Sequence, residues 1–298
     1  MKKLLVVALP AGLAVLAAVL LLGSFRAKKD AFEALDERAR LKRDFAERSG
    51  LARATPPDRA AEWRDEVQAL SRWYFDEVAA IRNRHPEARP PEKPERKGKA
   101  PSEKERALAS EFQQYADGRL ALLRGGGYAP RLSAVDQGLR LDLLAVEPGA
   151  APEGGGPGLR IDFALWGAPR FLERERERER VTTRSVVPVV LKRIAFRFLD
   201  AKGKAYGEMS GPGEPYLKLA DPERFAEDFP PGVLFGTWWV ELFPHEAVTV
   251  EIDVEAGARG ASGAERPLLF KLAAPVPEAW RIPPGARYEA QIREAVAQ

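Results

Sequence analysis

The chain has no cysteine and only two histidines and two methionines among 298 residues. Without cysteine there are no disulfides, no thiol catalysis, no thiolate zinc site and no cysteine-held iron–sulfur cluster. The shortage of histidine leaves His85 and His245 as the only side chains whose ordinary pKa lies near neutrality. His245-Glu246 opens like the H-E-x-x-H of a zinc protease, but position 249 is Thr249, and the segment lies between strand-like stretches. It reads as a turn histidine. Ser210 lies in Gly207-Glu208-Met209-Ser210-Gly211, which lacks the G-x-S-x-G spacing of a nucleophile elbow. Neither Gly125-Gly126-Gly127 nor Gly154-Gly155-Gly156 is followed by the Lys-Ser/Thr of a phosphate loop. We therefore expect no catalytic residue, no metal and no cofactor.

An excess of one charge sign is also missing. Lys and Arg number 47 against 44 Asp and Glu, for a net charge of +3. Residues 1–30 hold five Lys/Arg and one Asp, so the rest of the chain sums to −1. A basic face for nucleic acid is not expected. Asp221, Glu223, Glu227 and Asp228 cluster without EF-hand spacing and read as solvated acids.

What is present begins with Leu4 to Phe25, twenty-two residues without a charge. As a helix this run covers roughly 33 Å, enough for a ~30 Å hydrocarbon core. Lys2 and Lys3 also suit a signal peptide, but the cleavage pattern is poor. Cutting after Gly23 would put Leu21 at the −3 position, and cutting after Ala27 would put Phe25 there. The expectation is an uncleaved single-pass anchor in the inner membrane. The basic residues that follow, from Arg26 to Arg43, would by a literal positive-inside count place the body in the cytoplasm. A three-residue tail rarely crosses a membrane, however, whereas a large domain can follow an N-terminal anchor, so the body is expected in the periplasm.

Residues 26–49 read as a charged stalk helix ended by Gly50. The stripe of Phe32, Leu35, Ala39 and Ala46 is thin, so a solvated charged helix is the expectation, with a weak seam for a homo-oligomer as the alternative. Thr55-Pro56-Pro57-Asp58 reads as a capped helix start. Trp63, Val67, Leu70, Tyr74, Val78 and Ile81 then recur at helical spacing up to His85-Pro86. Residues 86–101 contain five prolines and no large apolar side chain, the composition of a disordered linker. Ser102 to Glu105 forms a capping box, followed by the face Leu108, Phe112, Tyr115, Leu120 and Leu123. These two helices are expected to pair antiparallel.

Beyond Gly127 the period changes to two. Leu139, Leu141 and Leu143 alternate with Arg140 and Asp142, and Leu159, Ile161, Phe163 and Leu165 with Arg160 and Asp162. Further strands are expected at residues 186–199, 233–243, 247–255 and 268–272, with a turn at residues 200–203. Glu173 to Arg180 is an unbroken Glu-Arg alternation, read as a solvated edge or hairpin tip. A short helix is expected at residues 221–228 and a terminal one at residues 286–297.

The expected architecture is α+β: a transmembrane anchor (1–25), a helical stalk and helix pair with its linker (26–124), and a mostly antiparallel β-sandwich (125–298). Trp238 and Trp239 are adjacent and must point to opposite sides of a strand. One can fill the core, and the other is either covered or the binding residue. The function expected is that of a non-catalytic envelope protein, a binding or assembly module with a protein partner and no nucleic acid. The alternative is a membrane-anchored hydrolase that uses paired carboxylates on envelope glycans.

Overall fold

The computed structural model describes residues 28–86, 88, 102–150, 157–167, 171–177, 180–186, 189–212, 217–218, 228–259, 265–283 and 285. The apolar run 4–25, most of the proline-rich linker, residues 219–227 and the expected terminal helix at 286–297 lie outside them. Among the described residues no helix is long and apolar enough to cross a membrane.

Three helices precede eleven strands in the described chain: α1 (28–52), α2 (Ala60–Arg84), α3 (Glu103–Arg124), β1 (Leu132–Asp136), β2 (Leu139–Ala150), β3 (Pro157–Trp166), β4 (Phe171–Glu177), β5 (Arg180–Val186), β6 (Val189–Leu199), β7 (Ala205–Pro212), β8 (Leu217–Lys218), β9 (Val233–Glu241), β10 (Thr249–Arg259) and β11 (Glu265–Pro275). The larger sheet runs β1-β2-β3-β9-β8 and the second β11-β10-β6-β7, every neighbouring pair antiparallel. The fold is α+β, with helices and antiparallel sheets segregated along the chain.

Period-two patterning turns one face of each sheet inward. Leu141, Leu143, Ile161, Phe163 and Trp238 of the larger sheet meet Ile194, Phe196, Phe198, Ile252, Val254 and Phe270 of the smaller in one buried core. Extra residues are absorbed by bulges. One near Leu144 turns that side chain toward the helices while Val146 returns to the inner face. Gln137 and Gly138, both at positive φ (47° and 79°), close β1 on β2 in a two-residue turn. The two sheets also meet at one side, where the Leu269 amide donates to Asp136 Oδ2 at 2.8 Å.

The helices cover the outer face of the larger sheet. Trp63, Val67, Tyr74, Ala116, Leu120 and Leu123 share a second core with Ala164, Trp166, Val233 and Phe235 from β3 and β9. The helical spacing read on α2 is its buried stripe. Its start differs from expectation: the N-cap is Arg59, without a side-chain cap, and Thr55 instead donates through Oγ1 to Glu66 Oε2. Residues 56–59 are taken up by a turn, with the Arg59 amide on the Pro56 carbonyl.

The face of α1 also differs. Phe32 and Leu35 are 70 % and 55 % exposed, while Ala34, Leu41, Phe45 and Ser49 are buried. Phe45 meets Tyr74 edge-on at 4.9 Å, Arg48 lies over Trp73, and Glu37 pairs with Arg84. These contacts place α1 antiparallel along α2. The helix also continues past Gly50 to residue 52. Glycine weakens a helix by only about 1 kcal/mol, which tertiary packing readily outweighs.

Between β3 and β6 the chain makes a separate hairpin. β4 pairs with β5, Glu173 opposite Arg184 and Glu177 opposite Arg180. The Glu-Arg run thus occupies most of β4 and the first residue of β5. The stretch read as one strand over 186–199 is divided between the end of β5 and β6.

Candidate functional site

Trp238 and Trp239 leave β9 on opposite sides. Trp238 is 2 % exposed and stacks on Phe163 with ring centroids 3.9 Å apart. Trp239 is half-buried on the outer face, opposite Arg160 in the register. Its indole reaches across glycines of the next strand, β3, and of β2 beyond it: a Cβ at Gly158 would sit 2.6 Å from Trp239 Nε1, and one at Gly149 would sit 3.4 Å from Cη2. Glycine at 158 thus permits the close approach of the ring, and the strand beneath holds an amphipathic aromatic in a fixed place.

The outer face of the smaller sheet carries a charged array. Arg197 of β6 lies between Glu208 of β7 and Glu251 of β10, and Ala195 between Ser210 and Asp253. Asp253 is opposite Lys271 of β11. Arg193 binds Glu208 at 2.8 Å and Glu255 at 3.0 Å, and Arg197 binds Glu251. The small side chains of Ala195 and Ala273 leave a depression of about 470 Å³ among these charges. The carboxylates beside Arg193 and Arg197 raise both guanidinium pKa values: the hydrogen bond that Arg193 donates to Glu255 is the main cause for Arg193, and the one Arg197 donates to Glu251 for Arg197. The array is an ordered set of alternating charges on rigid strands, suited to recognising a complementary surface.

A different chemistry lies under the helices. Arg140 and Asp142 are wholly buried, although the alternation on β2 marks them as the outward face. Asp142 accepts from Trp63 Nε1 at 2.8 Å, Ser133 Oγ at 2.6 Å and Arg140 Nε at 3.0 Å, and also from the Tyr128 hydroxyl. Trp166 Nε1 donates in turn to Tyr128 at 2.6 Å. Arg140 donates to the Thr55 carbonyl and stacks 4.4 Å from Trp63. One carboxylate thereby joins α2, the segment after α3, β1 and β2. Burial, and then the charge of Asp142, push the Tyr128 hydroxyl well above its usual pKa, so it stays a hydrogen-bond donor.

Two further acids repeat the pattern. Asp162 of β3 binds Arg119 of α3 at 2.9 Å, Arg160 at 3.0 Å and the Thr237 hydroxyl at 2.6 Å. Burial drives its pKa upward, but the Arg119 charge and the hydrogen bonds from Thr237 and Arg160 outweigh this and hold it below the usual carboxylate range. Asp228, 7 % exposed, faces one arginine from each helix: Arg82, Arg124 at 3.2 Å and Arg38 at 3.9 Å. The sequence reading took Asp228 for a solvated acid. The structure corrects this, because an arginine from each of the three helices reaches it, and the remaining acids of that run lie outside the described residues. The Asp142 and Asp162 networks join helices to sheet, and only the alternation of these acids with apolar residues was legible in the sequence; the Asp228 network ties the three helices to the turn before β9.

His245 lies in the turn before β10, its Nδ1 3.4 Å from Glu246 Oε2, and Ser210 is exposed on β7. Neither of them, nor Trp239, lines the depression on the smaller sheet. No protein-family model matches the chain, and no curated protein matches it either.

Proposed function

We propose that this protein is a membrane-anchored, non-catalytic binding or assembly module of the cell envelope, tethered to the inner membrane by residues 4–25 with its body in the periplasm. The helices and two-sheet unit form the presenting body, a β-sandwich carrying helices on one side. The observation that carries the reading is the outer face of β7-β6-β10-β11, which holds Arg193, Arg197 and Lys271 interleaved with Glu208, Glu251 and Asp253 on strands fixed by the core beneath. A protein partner with a matching alternation gains orientation and register from such a face more than raw affinity. Trp239 supplies a second contact of a different kind, an aromatic anchor held on a glycine floor.

The alternative, carboxylate-dependent hydrolysis of envelope glycans, has Glu208, Glu251 and Asp253 in one depression as its candidates. Pairing of Glu208 and Glu251 with arginines favours recognition over acid–base work.

The test is affinity capture from envelope membranes with the full-length protein, followed by quantified binding of what is captured. Reversal of Arg193 and Arg197 to Glu should abolish capture or make it insensitive to salt. Trp239→Ala should weaken it by ~2 kcal/mol if the indole is a hot spot. Unchanged capture by both variants would remove these surfaces from the function. Release of reducing ends from peptidoglycan that is lost in Glu251→Gln would establish the hydrolase instead.

A further inference from the structure

His85 closes α2, and its side chain is nine-tenths buried, with 10 % exposure. Facing it are the first described turns of α1. Asp30, Glu33 and Glu37 are spaced three and four residues apart and so share one helical face. Ligand atoms of Asp30, Glu33 and His85 all lie within 4.8 Å of one another. Glu37 Oε1 is 3.3 Å from His85 Nε2. Among the described residues, two cations border the group: Lys29 Nζ is 3.7 Å from Glu33, and Arg84 Nη2 is 2.7 Å from Glu37. Counted over the described residues, three carboxylates against these two cations give the cluster an excess of negative charge.

We propose that Asp30, Glu33 and His85 form a binding site for a divalent transition-metal ion, zinc in the first instance, that clasps the start of α1 to the end of α2. Bonds of 2.0–2.2 Å to zinc in tetrahedral geometry separate neighbouring ligand atoms by about 3.3 Å. The observed separations do not exceed 4.8 Å, and Asp30 and Glu33, half-buried and exposed respectively, have room for the rotamer changes that would draw their oxygens onto an ion. The imidazole is already held in place, with Glu37 positioned to orient it, as carboxylates do for metal-binding histidines. The nitrogen donor selects a transition metal over calcium and magnesium, which prefer oxygen alone. No sequence motif signals the site, because Glu37 and His85 lie 48 positions apart and meet only when α1 folds back along α2.

The experiment is calorimetric titration of Zn²⁺ into chelator-treated, detergent-solubilised full-length protein, with Co²⁺ absorption as a spectroscopic readout of coordination. The expected result is one ion per chain and a melting temperature that rises with zinc. His85→Ala and the double variant Asp30→Asn, Glu33→Gln should each weaken binding at least ~10-fold. His245→Ala should bind as the wild type does. Circular dichroism checks that each variant folds. Should His85→Ala unfold, the double variant decides. Absence of saturable binding, affinity unchanged in the double variant, or loss of binding in His245→Ala to the same degree would overturn the proposal. Equal competition by Mg²⁺ or Ca²⁺ would overturn the transition-metal assignment.

Discussion

At the scale of single residues, the acids under the helices dominate. Asp142 is wholly buried and receives hydrogen bonds from four side chains: Trp63, Tyr128, Ser133 and Arg140. Removing its charge strands a buried guanidinium, and breaking a buried pair in this way costs about 3–5 kcal/mol. Asp142→Asn should therefore lower the urea midpoint sharply, followed by tryptophan fluorescence, since Trp63 and Trp166 sit in the network. A loss below ~1 kcal/mol would show that the network contributes little. Asp162 gives a pH prediction. Its folded-state pKa is lowered, so the folded state binds fewer protons than the unfolded chain as the carboxyl titrates. The stability it contributes is complete above the ordinary carboxyl pKa near ~4 and is lost as pH falls through the lower folded value. Asp162→Asn should flatten the acid limb of the stability–pH curve below about pH 4. A limb as steep as that of the wild type would assign acid unfolding to other groups.

At the scale of elements, α1 shows how a charged helix chooses its face. Phe32 and Leu35 are the larger apolar side chains early in the helix, yet they are exposed, while Ala34, Leu41 and Phe45 are buried. The choice is made by α2, whose Tyr74 and Trp73 accept Phe45 and Arg48. Phe45→Ala should cost about 3–5 kcal/mol through the cavity it leaves. Phe32→Ala should change stability by no more than ~0.5 kcal/mol. Thermal melts of the two variants check this directly, and similar losses from both would mean that Phe32 is also covered in the intact protein. The strands were more legible than α1, because a period of two names one inner face without ambiguity. The meaning of the other face was not legible: Arg140 and Asp142 read as solvent-facing on β2 but lie under helices.

At the scale of the whole molecule, the described chain is layered: helices, a five-stranded sheet, then a four-stranded sheet whose outer surface bears the charged array. We propose that the apolar run 4–25 stays with the mature protein and holds these layers at the membrane. Mass spectrometry of membrane-extracted protein should then recover the N-terminal peptide, and a mature terminus near residues 24–28 would show cleavage instead. Protease added to spheroplasts should digest the body if it faces the periplasm. Digestion only after lysis would place it in the cytoplasm, as the literal charge count has it.

By itself the sequence determined the buried stripe of α2 and the side of β2 and β3 that meets the second sheet, because both follow from local periodicity. The stripe from Trp63 to Ile81 and the alternation from Leu159 to Leu165 are patterns no rearrangement can hide. Only the tertiary structure decided which polar residues are buried. Asp142, Asp162 and Asp228 look like any other surface acids among the 44 Asp and Glu of the chain until distant side chains, Trp63 for Asp142 and helix arginines for the other two, converge on them. It also decided that Trp238 fills the core while Trp239 rests on Gly158, and that His85 meets the acids of α1. Contacts between residues far apart in sequence depend on which helix covers which sheet face, and local patterning carries no record of that choice.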